Sequence, residues 1–138
     1  NAKIIYCYRN PLDNIKEIYT KFFEGKHTYS HSLEDCAKLW VNVHKIMNYY
    51  KNKFSDCIYF LDYDKLVQNK EVQIRSLIEW LGWIYQDKYL NFPLDLTTYF
   101  KDINCQKLNT SFQNSHLNYK KLLQPARNIL ENENIFID

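Results

Sequence analysis

Ala2-Lys3-Ile4-Ile5-Tyr6-Cys7-Tyr8-Arg9-Asn10-Pro11-Leu12-Asp13 is the stretch that decides the fold. Residues 2 to 8 form a short, continuous apolar run rich in Ile and Tyr, the pattern of a strand buried on both faces. Helix-start chemistry follows at once. Asn10 suits the N-cap, Pro11 the first helical position, and Asp13 is an acid in the first turn. Leu12, Ile15, Ile18, Tyr19, Phe22 and Phe23 recur at helical spacing, which predicts an amphipathic helix over 11–23. Strand, tight turn, helix is the opening of an α/β unit.

Downstream, Glu24 to His31 reads as a polar loop, and Ser32 with Asp35 resembles a capping box. Leu33, Ala37, Trp40, Val43, Met47 and Tyr50 make a long stripe, predicting a helix over 32–53. Cys57 to Leu61 reads as a second buried strand. Asn69 then caps a helix that turns Ile74, Leu77, Ile78 and Leu81 inward and stops at Gly82. Residues 94–114 have no clear period and are expected to be loop with short helices. Residues 115–131 are helical again, with Pro125 kinking or restarting the helix. The fold class is therefore α/β: a helix-rich remnant of a P-loop-type parallel sheet domain, with about two strands and four to six helices. A two-strand sheet is marginal and wants neighbours.

The 138 residues fit one domain, and 46% apolar with 17% aromatic content excludes a disordered chain. The net charge of +2 is spread along the chain and only Arg9, Arg75 and Arg127 are arginines, which argues against a nucleic-acid surface. No apolar run reaches the roughly 18 residues of a membrane span. Asn1 onward has no signal-peptide pattern, and the chain reads like the middle of a protein. Cys7, Cys36, Cys57 and Cys105 lack metal or C-x-x-C spacing; they read as buried free thiols, which suits a cytoplasmic location. His27, His31, His44 and His116 give no metal set. Tyr49 and Tyr50 read as core and rim, not as a base-stacking platform. With two glycines, Gly25 and Gly82, neither Gly-rich phosphate loop can be built.

Arg9-Asn10-Pro11-Leu12-Asp13 after an apolar strand resembles the second nucleotide motif of sulfotransferases, Arg-Asn/Asp-Pro-x-Asp. Tyr29-Ser30 with Ser32-Leu33-Glu34-Asp35 is similar to the loop-to-helix segment of the tyrosylprotein-type and bacterial branch. Tyr63-Asp64-Lys65-Leu66-Val67 resembles Tyr-Glu-x-Leu-Val; Ile78-Glu79-Trp80-Leu81-Gly82 resembles the Phe-Leu-Gly region. Asn109-Thr110-Ser111-Phe112-Gln113 is similar to Thr-Ala-Ser-x-x-Gln, and Leu123-Gln124-Pro125-Ala126 resembles the terminal helix. The resemblance spans nearly the whole chain, in order, and identifies it as the C-terminal part of a sulfotransferase-like domain.

In that family the donor is 3′-phosphoadenosine 5′-phosphosulfate and no metal is needed. The resemblance implies that Arg9 grips the 3′-phosphate and that Tyr63 and Ser111 also bind the donor. An arginine at a strand end, beside a helix N-terminus, is suited to bidentate phosphate pairing. Each residue has a plainer reading: Arg9 pairs with Asp13 or Glu17, Tyr63 merely packs, and Ser111 is a loop serine. The family's second 3′-phosphate ligand, a serine eight residues after the arginine, falls at Glu17, whose carboxylate would repel a phosphate. The phosphosulfate loop and the catalytic base precede the matching segment in the family, so no catalytic residue is assigned here and inactivity in isolation is expected. The chain is an enzyme if that half accompanies it and not otherwise. A different function is a non-catalytic helical protein-interaction module that keeps the fold. Two orphan strands imply either a homodimer through an exposed sheet edge or an edge covered by residues 94–114. The acceptor substrate is not legible.

Overall fold

A computed structural model describes residues 2–21, 28–90 and 113–135. Strand β1 (Ile4–Tyr8) leads into helix α1 (Pro11–Thr20). A 3-10 turn at Thr28–His31 precedes α2 (Leu33–Lys53), which carries the chain back to β2 (Ile58–Asp62). Helices α3 (Tyr63–Gln68) and α4 (Lys70–Leu81) follow, then 3-10 turns at Asp87–Tyr89 and Ser115–Tyr119, and finally α5 (Gln124–Asn132). The two strands pair in parallel, Ile4 opposite Ile58 through Tyr8 opposite Asp62. This is the expected α/β, helix-rich arrangement of two strands and five α-helices among the described residues.

Local chemistry explains most element ends. Asn10 Oδ1 accepts from the N–H groups of Leu12 (3.0 Å) and Asp13 (3.3 Å), which fixes the start of α1. Ser32 Oγ accepts from Asp35 N–H and starts α2. Asp62 Oδ1 accepts from Asp64 and Lys65 N–H, so the last residue of β2 is also the cap of α3, a short helix the sequence did not announce. Asn69 precedes α4, but its side chain makes no capping bond, contrary to expectation. Gly82 ends α4 at φ 76°, the left-handed conformation that glycine adopts without strain. Pro125 sits in the first turn of α5, so it restarts a helix after the 3-10 turn.

The main core lies between α1, α2 and α5: Leu12 and Ile15, then Leu33, Cys36, Ala37, Trp40 and Val41, then Leu123, Ala126 and Leu130. Two burial expectations fail. Helix α2 is about 31 Å long at 1.5 Å per residue. Only its first half is buried, so Val43 (41% exposed), Tyr49 and Tyr50 lie at the surface and not in the core. Strand β1 was expected to be covered on both faces, yet Ile4 is 50% and Ile5 44% exposed. Its only strand neighbour among the described residues is β2. Cys7, on the same strand, is correspondingly exposed, while Cys36 is buried and Cys57 half-buried. Cys105 and residues 94–112 of the expected 94–114 loop lie outside the described residues.

Candidate functional site

Parallel pairing brings the C-terminal ends of β1 and β2 together, so Tyr8-Arg9 and Asp62-Tyr63 become neighbours. Ligands of open α/β sheets bind at such strand ends. Arg9 and Tyr63 share one wall of a cleft of about 420 Å³, with Tyr8, Asn14, Trp40 and Val43. The Arg9 guanidinium lies 5.7 Å from the centre of the Tyr63 ring, a loose cation–π contact. A second cleft of about 580 Å³ opens beside the first; it shares Arg9, Tyr8 and Trp40 and adds His44, Asp62 and Asp64.

Arg9 also has the partner its plainer reading named. Its Nη2 is 3.5 Å from Asp13 Oδ2, and Asp13 is fully buried. Asp13 is the hub of a cluster that the sequence did not reveal. Its Oδ1 accepts from the Ser115 hydroxyl (2.9 Å), the His116 backbone N–H (2.7 Å) and His116 Nδ1 (3.1 Å). A carboxylate only accepts, so the imidazole carries its proton on Nδ1. Lys16 donates to Ser115 Oγ at 2.8 Å. Gln113 Nε2 donates to the Asp64 carbonyl at 2.7 Å, which ties the same downstream segment to α3. Asp13 was legible as a first-turn acid and a possible partner of Arg9, and His116 only as one of four histidines without metal-site spacing. The contact joins positions 103 apart in sequence, which no local pattern encodes.

Glu17 does not line either cleft. It pairs with Lys16 at 3.1 Å, and Arg9 turns to Asp13, not to Glu17. Ser111 lies outside the described residues. The N-terminus of α1 is already well satisfied: the Asn10 side chain caps it, and Asp64 Oδ2 accepts from Asn10 N–H at 2.7 Å. Arg9 is the one cationic side chain among the described residues that lines both clefts, and it remains 15% exposed. A guanidinium can pair with an anion, and the aromatic ring beside it on the same wall can stack on a planar group.

Burial and charge shape the rest of the strand ends. The Tyr8 phenol is pushed up by burial and by Asp62. The Cys7 thiol is raised by desolvation and by the nearby Asp62 and Asp64 carboxylates. His44 stacks on Trp40, ring centres 4.7 Å apart, among Tyr6, Tyr8 and Phe60. Burial lowers its affinity for a proton. Among the described residues no His, Cys, Asp or Glu group of three or more is placed to hold a metal ion. No described helix is long and apolar enough to cross a membrane.

The sulfotransferase family model matches residues 1–87, which include β1, α1, α2, β2, α3 and α4. A protein of Aquifex aeolicus (strain VF5), described as uncharacterized, is 30% identical over 95 residues, covering 67% of this chain and 12% of its own length. The chain thus spans a small part of that relative. No solved structure matches it. The family match covers the whole strand–helix–strand frame that places Arg9 and Tyr63 on one cleft, and on that ground the chain belongs to the sulfotransferase family.

Proposed function

We propose that this chain supplies the 3′-phosphate side of a sulfuryl-donor nucleotide site, in a sulfotransferase-like domain of the tyrosylprotein or bacterial type. The carrying observation is that Arg9 and Tyr63, 54 positions apart, line one cleft at the C-terminal ends of two parallel strands. The donor, 3′-phosphoadenosine 5′-phosphosulfate, supplies the sulfuryl group when bound. Arg9 takes the phosphate charge, and Tyr63 offers its ring to the nucleoside. Ser111 is assigned to the same ligand by family resemblance. No residue here matches the family's phosphosulfate loop or base, so the chain alone transfers nothing. Free thiols at Cys7, Cys36 and Cys57 support a reducing, cytoplasmic setting.

Calorimetry with adenosine 3′,5′-bisphosphate tests the reading. The expected affinity is weak, no better than the high micromolar range, because losing one charge-assisted phosphate site costs about 1.5–3 kcal/mol. Arg9→Ala removes the binding. Equal affinity in wild type and Arg9→Ala would overturn the assignment.

One observation favours a second reading, that of an interaction module: β1 leaves Ile4 and Ile5 exposed, with β2 its only strand neighbour among the described residues. In that reading a second copy of the chain covers the edge, forming a homodimer.

A further inference from the structure

We propose that Ser115 and His116 are positioning residues for Arg9, acting through the buried carboxylate of Asp13; the functional weight of this rests on Arg9 being the phosphate ligand. An arginine side chain has many rotamers, and at 15% exposure Arg9 is not held by packing alone. Asp13 supplies a fixed charge against which it is aimed. Three donors converge on Asp13 Oδ1, all from Ser115 and His116. They occupy that oxygen and leave Oδ2 to face Arg9 Nη2 at 3.5 Å. The carboxylate therefore has one orientation, set by a segment about a hundred positions downstream. Lys16 donates to Ser115 Oγ and fixes the hydroxyl that donates to Asp13.

The same segment reaches the other half of the site. Gln113 Nε2 holds the Asp64 carbonyl, one residue beyond Tyr63, while Asp64 Oδ2 holds Asn10 N–H, one residue beyond Arg9. Docking of residues 113–116 thus adds a tie on α3 to the strand pairing that brings Arg9 and Tyr63 together. An undocked segment leaves Asp13 free to rotate and takes from Arg9 the fixed orientation of that carboxylate. The affinity of the strand-end cleft for an anion is therefore coupled to a segment that lines neither cleft.

The test reads Arg9 directly. In isotope-labelled protein the Arg9 Nε–H signal, assigned by its loss in Arg9→Lys, should be ordered on the nanosecond scale. His116→Leu fills the same space without a donor and should make that signal mobile. His116→Asn returns an amide donor near the Nδ1 position and should restore order, which a general packing defect would not. Titration with adenosine 3′,5′-bisphosphate should show His116→Leu binding about threefold to tenfold more weakly, and His116→Asn close to wild type. An Arg9 signal equally ordered in wild type and a folded His116→Leu overturns the proposal. Should His116→Leu fail to fold, Ser115→Ala removes one donor only, and an unchanged Arg9 signal there overturns it equally. Loosening of Arg9 with no nucleotide response in any variant, wild type included, supports the positioning role and sinks the phosphate assignment.

Discussion

Asp13→Ala should be among the most damaging single changes in this chain, and Asp13→Asn much milder. Asp13 is fully buried and accepts three hydrogen bonds on Oδ1, two of them from the buried His116. Alanine leaves the His116 backbone N–H and Nδ1–H without an acceptor, at about 1–3 kcal/mol each. The Ser115 hydroxyl can turn elsewhere and adds little. Arg9 loses the carboxylate 3.5 Å away. The sum is about 3–5 kcal/mol, the usual cost of breaking a buried charged pair. At roughly 3–4 °C per kcal/mol for a chain of this size, the melting temperature should fall by about 9–20 °C. Asparagine keeps an oxygen for the three donors and loses only the charge facing Arg9, for about 1–2 kcal/mol. Urea unfolding followed by tryptophan fluorescence and circular dichroism measures both variants. Asp13→Ala within about 1 kcal/mol of wild type would refute the reasoning, because desolvated donors would then have found other acceptors. Equal losses for Ala and Asn would refute it differently, by showing that charge and not acceptor count decides.

Glu17→Ser tests the family's second phosphate position: with the Glu17 carboxylate held by Lys16 and off both cleft walls, bisphosphate affinity in calorimetry should rise less than about tenfold. Partial burial lowers the proton affinity of His44 from an ordinary 6.5, so the unfolded chain takes up the proton first. Its contribution to stability is complete above about pH 6.5 and is lost as pH falls below that, and thermal melts of His44→Phe should therefore show a flatter acid slope than wild type. Gly82→Ala meets no atom within 4 Å but is held at φ 76°, so denaturation should report a loss of about 1 kcal/mol from backbone strain alone, with Gly82→Asn losing less. Sedimentation at high concentration should give a dimer that Ile5→Lys dissociates, since the charge lands on the exposed β1 residue; a concentration-independent monomer would remove the second reading.

The sequence by itself determined the elements whose causes are local. Asn10-Pro11 opens α1, Ser32 with Asp35 opens α2, and Gly82 closes α4, because capping and left-handed termination depend on a few adjacent residues. Apolar periodicity likewise made both strands and their helical crossover legible, and the ordered motifs around Arg9 and Tyr63 pointed to the family that residues 1–87 match. Tertiary structure decided what depends on distant partners. The exposed faces of β1 and the second half of α2 have strand-like and helix-like patterns, but pattern does not reveal whether anything covers them. Arg9 was readable as either a phosphate ligand or an ion-pair member, and the fold gives it both a cleft wall and the Asp13 carboxylate. The Asp13–Ser115–His116 cluster left no trace in the sequence. Its three hydrogen bonds exist only because α5 and the preceding 3-10 turn pack onto α1, and a contact across about a hundred positions follows from chain packing, not from residue order.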